Sequence, residues 1–253
     1  MHMDNPFKET EDRLQFAKAL DRFKAAQNRS HATFTDFMNP QRSVVFLQQF
    51  TKMKIEAQLY GGYEDAERKM IGFTSYEPLL DDNFPIIPLA ISYNGRFSRQ
   101  LTHRDFLGSV LGLGLDRGKI GDIRIGDSGA VMYVAHEVAD FITESLCEVG
   151  RTSVTASRST EVSGIETPGT QKRITVSSMR LDTVISTALH LSRGKAASLI
   201  EAEKVFVNWA IGKKTMQLST DDIITVRKVG RIKIEQVIGT TKKDRIALVI
   251  TVF

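Results

Sequence analysis

A chain of 253 residues, 42% hydrophobic and 25% charged with 6 prolines, is long enough for two or three domains at roughly 100–200 residues each. That composition excludes wholesale disorder and a collagen-like repeat. Residues 176–253 carry 13 basic and 7 acidic side chains, a net +6, whereas the residues before them carry 21 and 23, a net −2. A basic module on a near-neutral body is the electrostatic footprint of docking on phosphates, because each neutralised phosphate releases condensed counterions; a solvated basic surface has the same composition. No apolar run approaches the roughly 20 residues that span a bilayer. The start, Met1-His2-Met3-Asp4-Asn5, has no basic head followed by an apolar stretch, so a cytoplasmic protein is expected. The one cysteine, Cys147, allows neither an internal disulfide nor a cysteine-based zinc cluster.

In chain order, Leu14, Ala17, Leu20 and Phe23 fall at helical spacing between charges and predict an amphipathic helix over 9–26. The turn Thr35 to Pro40 opens a second helix through Val44, Leu47 and Phe50, with Pro40 in the first turn, where a missing N–H costs little. Alternation at Ile55, Ala57 and Leu59, the interruption Gly61-Gly62 and the run Met70 to Tyr76 predict two strands. Further on, the pattern reads as a strand over 86–93, a helix over 103–113, strands over 120–125 and 130–135 joined by Gly126-Asp127-Ser128-Gly129, a helix through Val138, Phe141, Ile142 and Leu146, and a strand over 151–156. This βαββαβ order predicts a ferredoxin-like, RRM-like sheet covered by two helices on one face. The fold class is therefore α+β: an N-terminal mixed α/β region over 1–80, the central ferredoxin-like domain over 81–158, a linker or exposed hairpin over 159–175, and a C-terminal domain over 176–253.

Several fragments of the centre have the look of catalytic signatures but lack the groups the chemistry requires. The glycines at 112, 114, 118 and 121 miss the dinucleotide pattern, because Arg117 stands where the third glycine belongs, and miss the P-loop, because Ile120 follows Lys119. His103-Arg104-Asp105 has Val110 where a kinase loop needs its metal-binding asparagine. Gly126-Asp127-Ser128-Gly129 is better explained as turn chemistry than as a protease loop. In His136-Glu137, Asp140 occupies the place of the second zinc-binding histidine. No catalytic residue, cofactor or metal site is expected. The remaining enzyme reading is an RNA-modifying activity around His103, Asp105 and Asp122.

The C-terminal residues are more specific. Arg180-Leu181-Asp182 leads into one helix, and Ser192-Arg193-Gly194-Lys195-Ala196-Ala197 opens another ending at Ile200. Val205-Phe206-Val207-Asn208 follows as a strand, and Asp221 to Val226 closes the pattern. Ser192 is a natural N-cap, so free helix amides and the cations Arg193 and Lys195 point the same way, a ready phosphate site. Arg180, Lys204, Asn208, Lys213 and Lys214 add donors, and Asn208 suits either a phosphate or a base edge. Leu199 and Ile200 supply the buried side of the helix. Trp209 suits base stacking and a hydrophobic contact equally.

This string, about fifty residues long, resembles the S4 RNA-binding domain, an αL-type module. Where that family usually has glycine, two residues before the Val of Val-x-Val-Asn, this chain has Glu203; a positive φ there would strain it. The whole chain resembles the YlmH group of bacterial S4 proteins through Phe37 to Pro40, Leu101-Thr102-His103-Arg104-Asp105-Phe106-Leu107-Gly108, Gly112-Leu113-Gly114, Lys119-Ile120-Gly121-Asp122-Ile123 and the S4 string. That resemblance implies a non-enzymatic RNA-binding protein encoded near cell-division genes, whose partners are structured RNA, rRNA or tRNA, on the large ribosomal subunit during handling of stalled chains. By analogy the central domain would hold a second RNA or protein surface, with Arg96, Arg99, Arg104, Arg117 and Lys119 as candidate contacts. Its sheet is not expected to stack bases as an RRM does, since Tyr133 is the one ring in Ala130 to Ala135. A cell-division scaffold is the other reading left open.

Overall fold

The computed structural model describes residues 10–29, 31–75, 78–94, 101–126, 129–159, 169–227, 229–241 and 244–253. It divides into two compact units, Met1–Glu166 and Thr167–Phe253. Among the described residues it is a mixed α+β protein of six α-helices and antiparallel sheets.

The first unit begins with α1 (Thr10–Arg29), β1 (Thr33–Phe34) and α2 (Pro40–Lys52), followed by β2 (Gln58–Tyr60) and β3 (Met70–Phe73), which form a sheet in the order β1-β3-β2. Helix α2 starts as expected: Asn39 accepts a hydrogen bond from the Arg42 amide at 2.8 Å and Pro40 occupies the first turn. The buried stripe of α1 keeps half of the expected one. Leu20 and Phe23 pack against the core as expected, beside the buried Phe16, Ala19 and Ala26, while Leu14 is 56% exposed and Ala17 points outward. A ring cluster fixes that rotation, since Phe16 packs edge-on against Phe46 at 5.1 Å and stacks on Phe50 at 5.0 Å, and Phe50 meets Phe73 at 5.1 Å.

The unit continues with β4 (Ile86–Ser92), α3 (His103–Gly112), β5 (Ile120–Ile125), β6 (Gly129–Ala135), α4 (His136–Ser145), the two-stranded ribbon of β7 (Glu148–Val149) and β8 (Thr152–Ser153), and β9 (Thr155–Arg158). The sheet order is β5-β6-β4-β9, with every adjacent pair antiparallel. The strand expected over 151–156 is thus split, its first part closing the β7–β8 ribbon and its second joining the sheet. Asp127 and Ser128 of the expected turn lie outside the described residues.

Alternation along β6 divides its side chains between two cores. Ala130, Met132 and Val134 pack with Leu89, Ile91, Phe106, Val110, Ala139 and Ile142 beneath α3 and α4. Val131, Tyr133 and Ala135 pack on the other face with Phe37, Met70, Leu79 and Phe84. The regions 1–80 and 81–158 therefore share a core, and the sheet face turned away from α3 and α4 is covered by protein, with Tyr133 fully buried. Gly62 makes the close approach possible: its φ is +101°, and a Cβ there would lie 2.3 Å from the Tyr133 ring.

In the second unit, β10 (Thr170–Val176) precedes α5 (Leu181–Ala188), α6 (Arg193–Glu201), β11 (Val205–Val207), β12 (Ala210–Ile211), β13 (Ile223–Val226), β14 (Gly230–Thr240) and β15 (Ile246–Val252). The sheet runs β10-β15-β14-β13-β11-β12. Strand β10 corrects the linker expected over 159–175: polar side chains mask it as a loop, yet it pairs with β15 along its whole length, from Thr170 with Val252 to Val176 with Ile246. Residues 160–168 of that segment lie outside the described residues. One sheet face packs Val205, Val207, Ile224, Val226, Ile232, Ile234, Leu248 and Ile250 against Leu181, Val184, Ile185, Ala196, Leu199 and Ile200 of α5 and α6.

Glu203 has a φ of +53°. This is the left-handed region, where a Cβ crowds the following carbonyl, and glycine takes it freely. Glu203→Gly is expected to stabilise the second unit by about 1 kcal/mol, read as a higher urea midpoint in Trp209 fluorescence.

Candidate nucleic-acid interface

The turn between α5 and α6 is fastened from within. Ser186 Oγ donates to the Leu191 carbonyl at 2.9 Å while the Leu191 amide donates to the Ser186 carbonyl at 2.9 Å. Ser192 then caps α6, its Oγ accepting from the Lys195 amide at 3.2 Å. Arg193 and Lys195 are exposed in that first turn, and the Arg193 guanidinium makes a long 3.4 Å contact to Ser177. The helix N-terminus adds partial positive charge to the two cations, so an anion placed here meets both.

Ser177 lies just before the start of α5, which brings a second group of candidates beside the first. Arg180 forms a two-pronged pair with Asp182, both contacts 3.0 Å. The Arg180 hydrogen bond and charge hold the Asp182 carboxyl below its ordinary range, with a smaller contribution from Lys214; the same pair raises Arg180. Backbone pairing of Leu181 with Met216 and of Leu218 with Met179 holds the exposed Lys213-Lys214 turn against this end of α5. Arg180, Arg193 and Lys214 thus gather around the segment Ser177–Asp182, with the exposed Lys195 and Lys213 their neighbours in sequence.

Lys204 and Asn208 do not join them. Lys204 follows the C-terminal end of α6, and nine helical residues span roughly 13 Å at about 1.5 Å each. Asn208 is consumed by the fold: its amide nitrogen donates to Asp222 at 2.7 Å and its oxygen accepts from the Ile223 amide at 2.9 Å. Its φ of +46° and that of Trp209, +69°, form the two-residue turn between β11 and β12.

The central candidates also separate. Arg96 and Arg99 lie outside the described residues. Lys119 is held by two carboxylates, Asp36, 83 positions earlier, and Glu137 at 2.6 Å. Arg117 turns inward onto the carbonyls of Ile120 and Gly121, and Arg104 alone of the three is an exposed side chain. Lys119→Gln is expected to leave RNA affinity within about twofold, as a cation held between two carboxylates has no net charge left to offer a phosphate, which filter-retention titration would show.

Of the groups named for an enzyme, Asp105 caps α3, accepting from the Thr102 amide and hydroxyl at 2.8 and 2.7 Å. Asp122 accepts from Tyr63 Oη at 2.9 Å and from the amides of Glu67 and Arg68 at 2.6 and 3.1 Å. Burial and then the Asp122 charge raise the Tyr63 phenol far above its ordinary value. Burial and then the Arg117 cation lower Arg68 to about 10, and its guanidinium bonds the carbonyls of Phe37, Arg117 and Ile120. Burial followed by Arg117 lowers the His103 imidazole, opposed by Asp122. Asp122 and Arg68 thus join the early strands to the central sheet. No group of three or more metal-binding side chains occurs among the described residues, and no described helix is long and apolar enough to cross a membrane.

Sequence reasoning missed one cluster. Arg231 lies over the Trp209 ring at 5.2 Å and the Phe253 ring at 5.5 Å, and Arg227 lies over Phe206 at 5.0 Å. Only the strand register brings these residues together, so no local spacing signals them.

The class defined so far is an α+β protein of two units, the second presenting a cationic helix-turn surface. Residues 80–162 match a family model described as "Putative RNA-binding domain in YlmH", and residues 11–77 match "YlmH, N-terminal". Together these two matches cover most of the first unit. The chain is 29% identical over 240 residues, 93% of each chain, to the ribosome-associated protein quality control protein P2 of Bacillus subtilis. The cell division protein YlmH of Streptococcus pneumoniae shares the fold, with a TM-score of 0.53 and 21% identity over 65% of this chain and 100% of that one.

Proposed function

We propose that the protein is a non-catalytic, cytoplasmic RNA-binding factor that grips structured RNA through its second unit, read as an S4 domain. In this reading α5, α6 and the turn between them form the RNA-facing motif. The observation that carries it is the Ser192-capped first turn of α6, with Arg193 and Lys195 exposed and Arg180 and Lys214 beside it. Phosphate oxygens suit this arrangement because helix amides and flexible cations converge without a fixed base-reading geometry.

The target is RNA of the large ribosomal subunit in a complex that carries tRNA, and the role is quality control of stalled chains. The B. subtilis relative, a ribosome-associated protein quality control protein aligned over nearly the whole of both chains, supports the ribosomal and quality-control parts of this reading. The first unit is read as a ferredoxin-like sheet braced by the N-terminal elements, which leaves its helix side and Arg104 for a second contact. Sedimentation of a lysate through gradients at moderate and high salt tests the proposal. Comigration with the large subunit, released by salt, is expected. Migration with free protein at every salt concentration, or turnover of RNA abolished by an Asp105 change in a folded protein, would contradict it.

A further inference from the structure

The sheet of the second unit has two faces, and α5 and α6 cover one. Strand alternation sends the residues between the core positions to the other. Register places Ile211 beside Phe206, Phe206 beside Thr225, and Thr225 beside Arg231. It also aligns Ile223 with Lys233, Lys233 with Thr251, and Arg173 with Val249. On this face Arg231 sits between the Trp209 and Phe253 rings, and Arg227 covers Phe206. Ile211 is 50% and Phe253 41% exposed. Glu235, also on this face, is engaged by Thr251 at 2.6 Å and Lys233 at 3.7 Å.

Trp209 is an unusual choice for its place. At φ +69°, in a two-residue hairpin turn, glycine is the favoured residue and a bulky ring is rarely found. Backbone strain kept at a side chain that shows its ring to a cation on a cationic face points to a use for the ring.

We propose that this face is a second nucleic-acid surface, taking unpaired bases of a single-stranded RNA segment on Trp209 and Phe253, with Arg173, Arg227, Arg231 and Lys233 along its phosphates. A single strand is the occupant because rings stack only on bases whose faces are free, and a duplex hides them. The cations favour a polyanion over a neutral or basic peptide. No residue of the α6 surface takes part, so this inference stands apart from the helix-turn reading.

Trp209 is the sole tryptophan, so its fluorescence reports on the site. Titration of the full chain with a single-stranded oligouridylate of about 12 nucleotides, within the usual span of such sites, is expected to quench it, and added salt to reverse the effect. Trp209→Gly relieves the turn and is expected to fold with unimpaired thermal stability, yet to bind the oligonucleotide about tenfold more weakly by filter retention. Trp209→Phe retains most of the affinity, and Arg193→Gln/Lys195→Gln leaves the quenching intact while weakening structured RNA. Absence of quenching, wild-type affinity in folded Trp209→Gly, or equal quenching by a blunt RNA duplex would overturn the proposal.

Discussion

The double variant Arg193→Gln/Lys195→Gln is expected to bind structured RNA roughly ten- to hundredfold more weakly at moderate salt, with the slope of log affinity against log salt shallower by about 1.5–2. Both side chains are exposed at the N-terminus of α6 and neither is paired with a carboxylate in the described contacts. Their loss removes two phosphate-neutralising charges while Ser192 keeps the helix capped. Stability should hardly change, because surface substitutions away from caps and cores usually stay within about 0.5 kcal/mol. Affinity titrations across a salt series check this, with urea unfolding as the control. An unchanged slope would place the phosphate contacts elsewhere.

Asp122→Ala is expected to act on stability instead. Three hydrogen bonds from Tyr63, Glu67 and Arg68 end on this carboxylate, and its removal takes from the part-buried Arg68 and Arg117 the negative charge that acts on them most strongly. Breaking such a network costs about 3–5 kcal/mol, or a urea midpoint lower by about 1–2 M. Because Trp209 lies in the second unit, circular dichroism should show an early transition to which tryptophan fluorescence is blind. Coincident, unshifted transitions in both signals would contradict the bracing role. Asp122→Asn, which keeps the side-chain shape, should lose less.

Elements set by local rules were legible in the sequence. The turn ending at Pro40 announces α2, Ser192 announces α6, and the run Ile120 to Ile125 gives β5 over its observed length. The strain at Glu203 was also legible, as its observed φ of +53° agrees with what a glycine position requires. Features decided by distant partners were not. The buried stripe of α1 is chosen by rings from α2 and β3, and Leu14 and Ala17 lose to Phe16 and Ala19. Lys119 reads as a free loop cation until Asp36 and Glu137 converge on it from other parts of the chain. Asn208 reads as a donor for RNA until the backbone turn takes both ends of its amide. The polar strand β10 becomes visible only through its pairing with β15. In each case the missing information is tertiary, and a window of neighbouring residues does not contain it.

The most direct test of the central claim is photo-crosslinking of the protein bound to purified large ribosomal subunits, with the RNA-linked peptides mapped along the chain. The account predicts adducts within residues 177–197 and at the Lys213-Lys214 turn, all lost in Arg193→Gln/Lys195→Gln at moderate salt. Adducts confined to residues before 167 in wild-type protein would contradict it, and would move the RNA-gripping surface to the first unit.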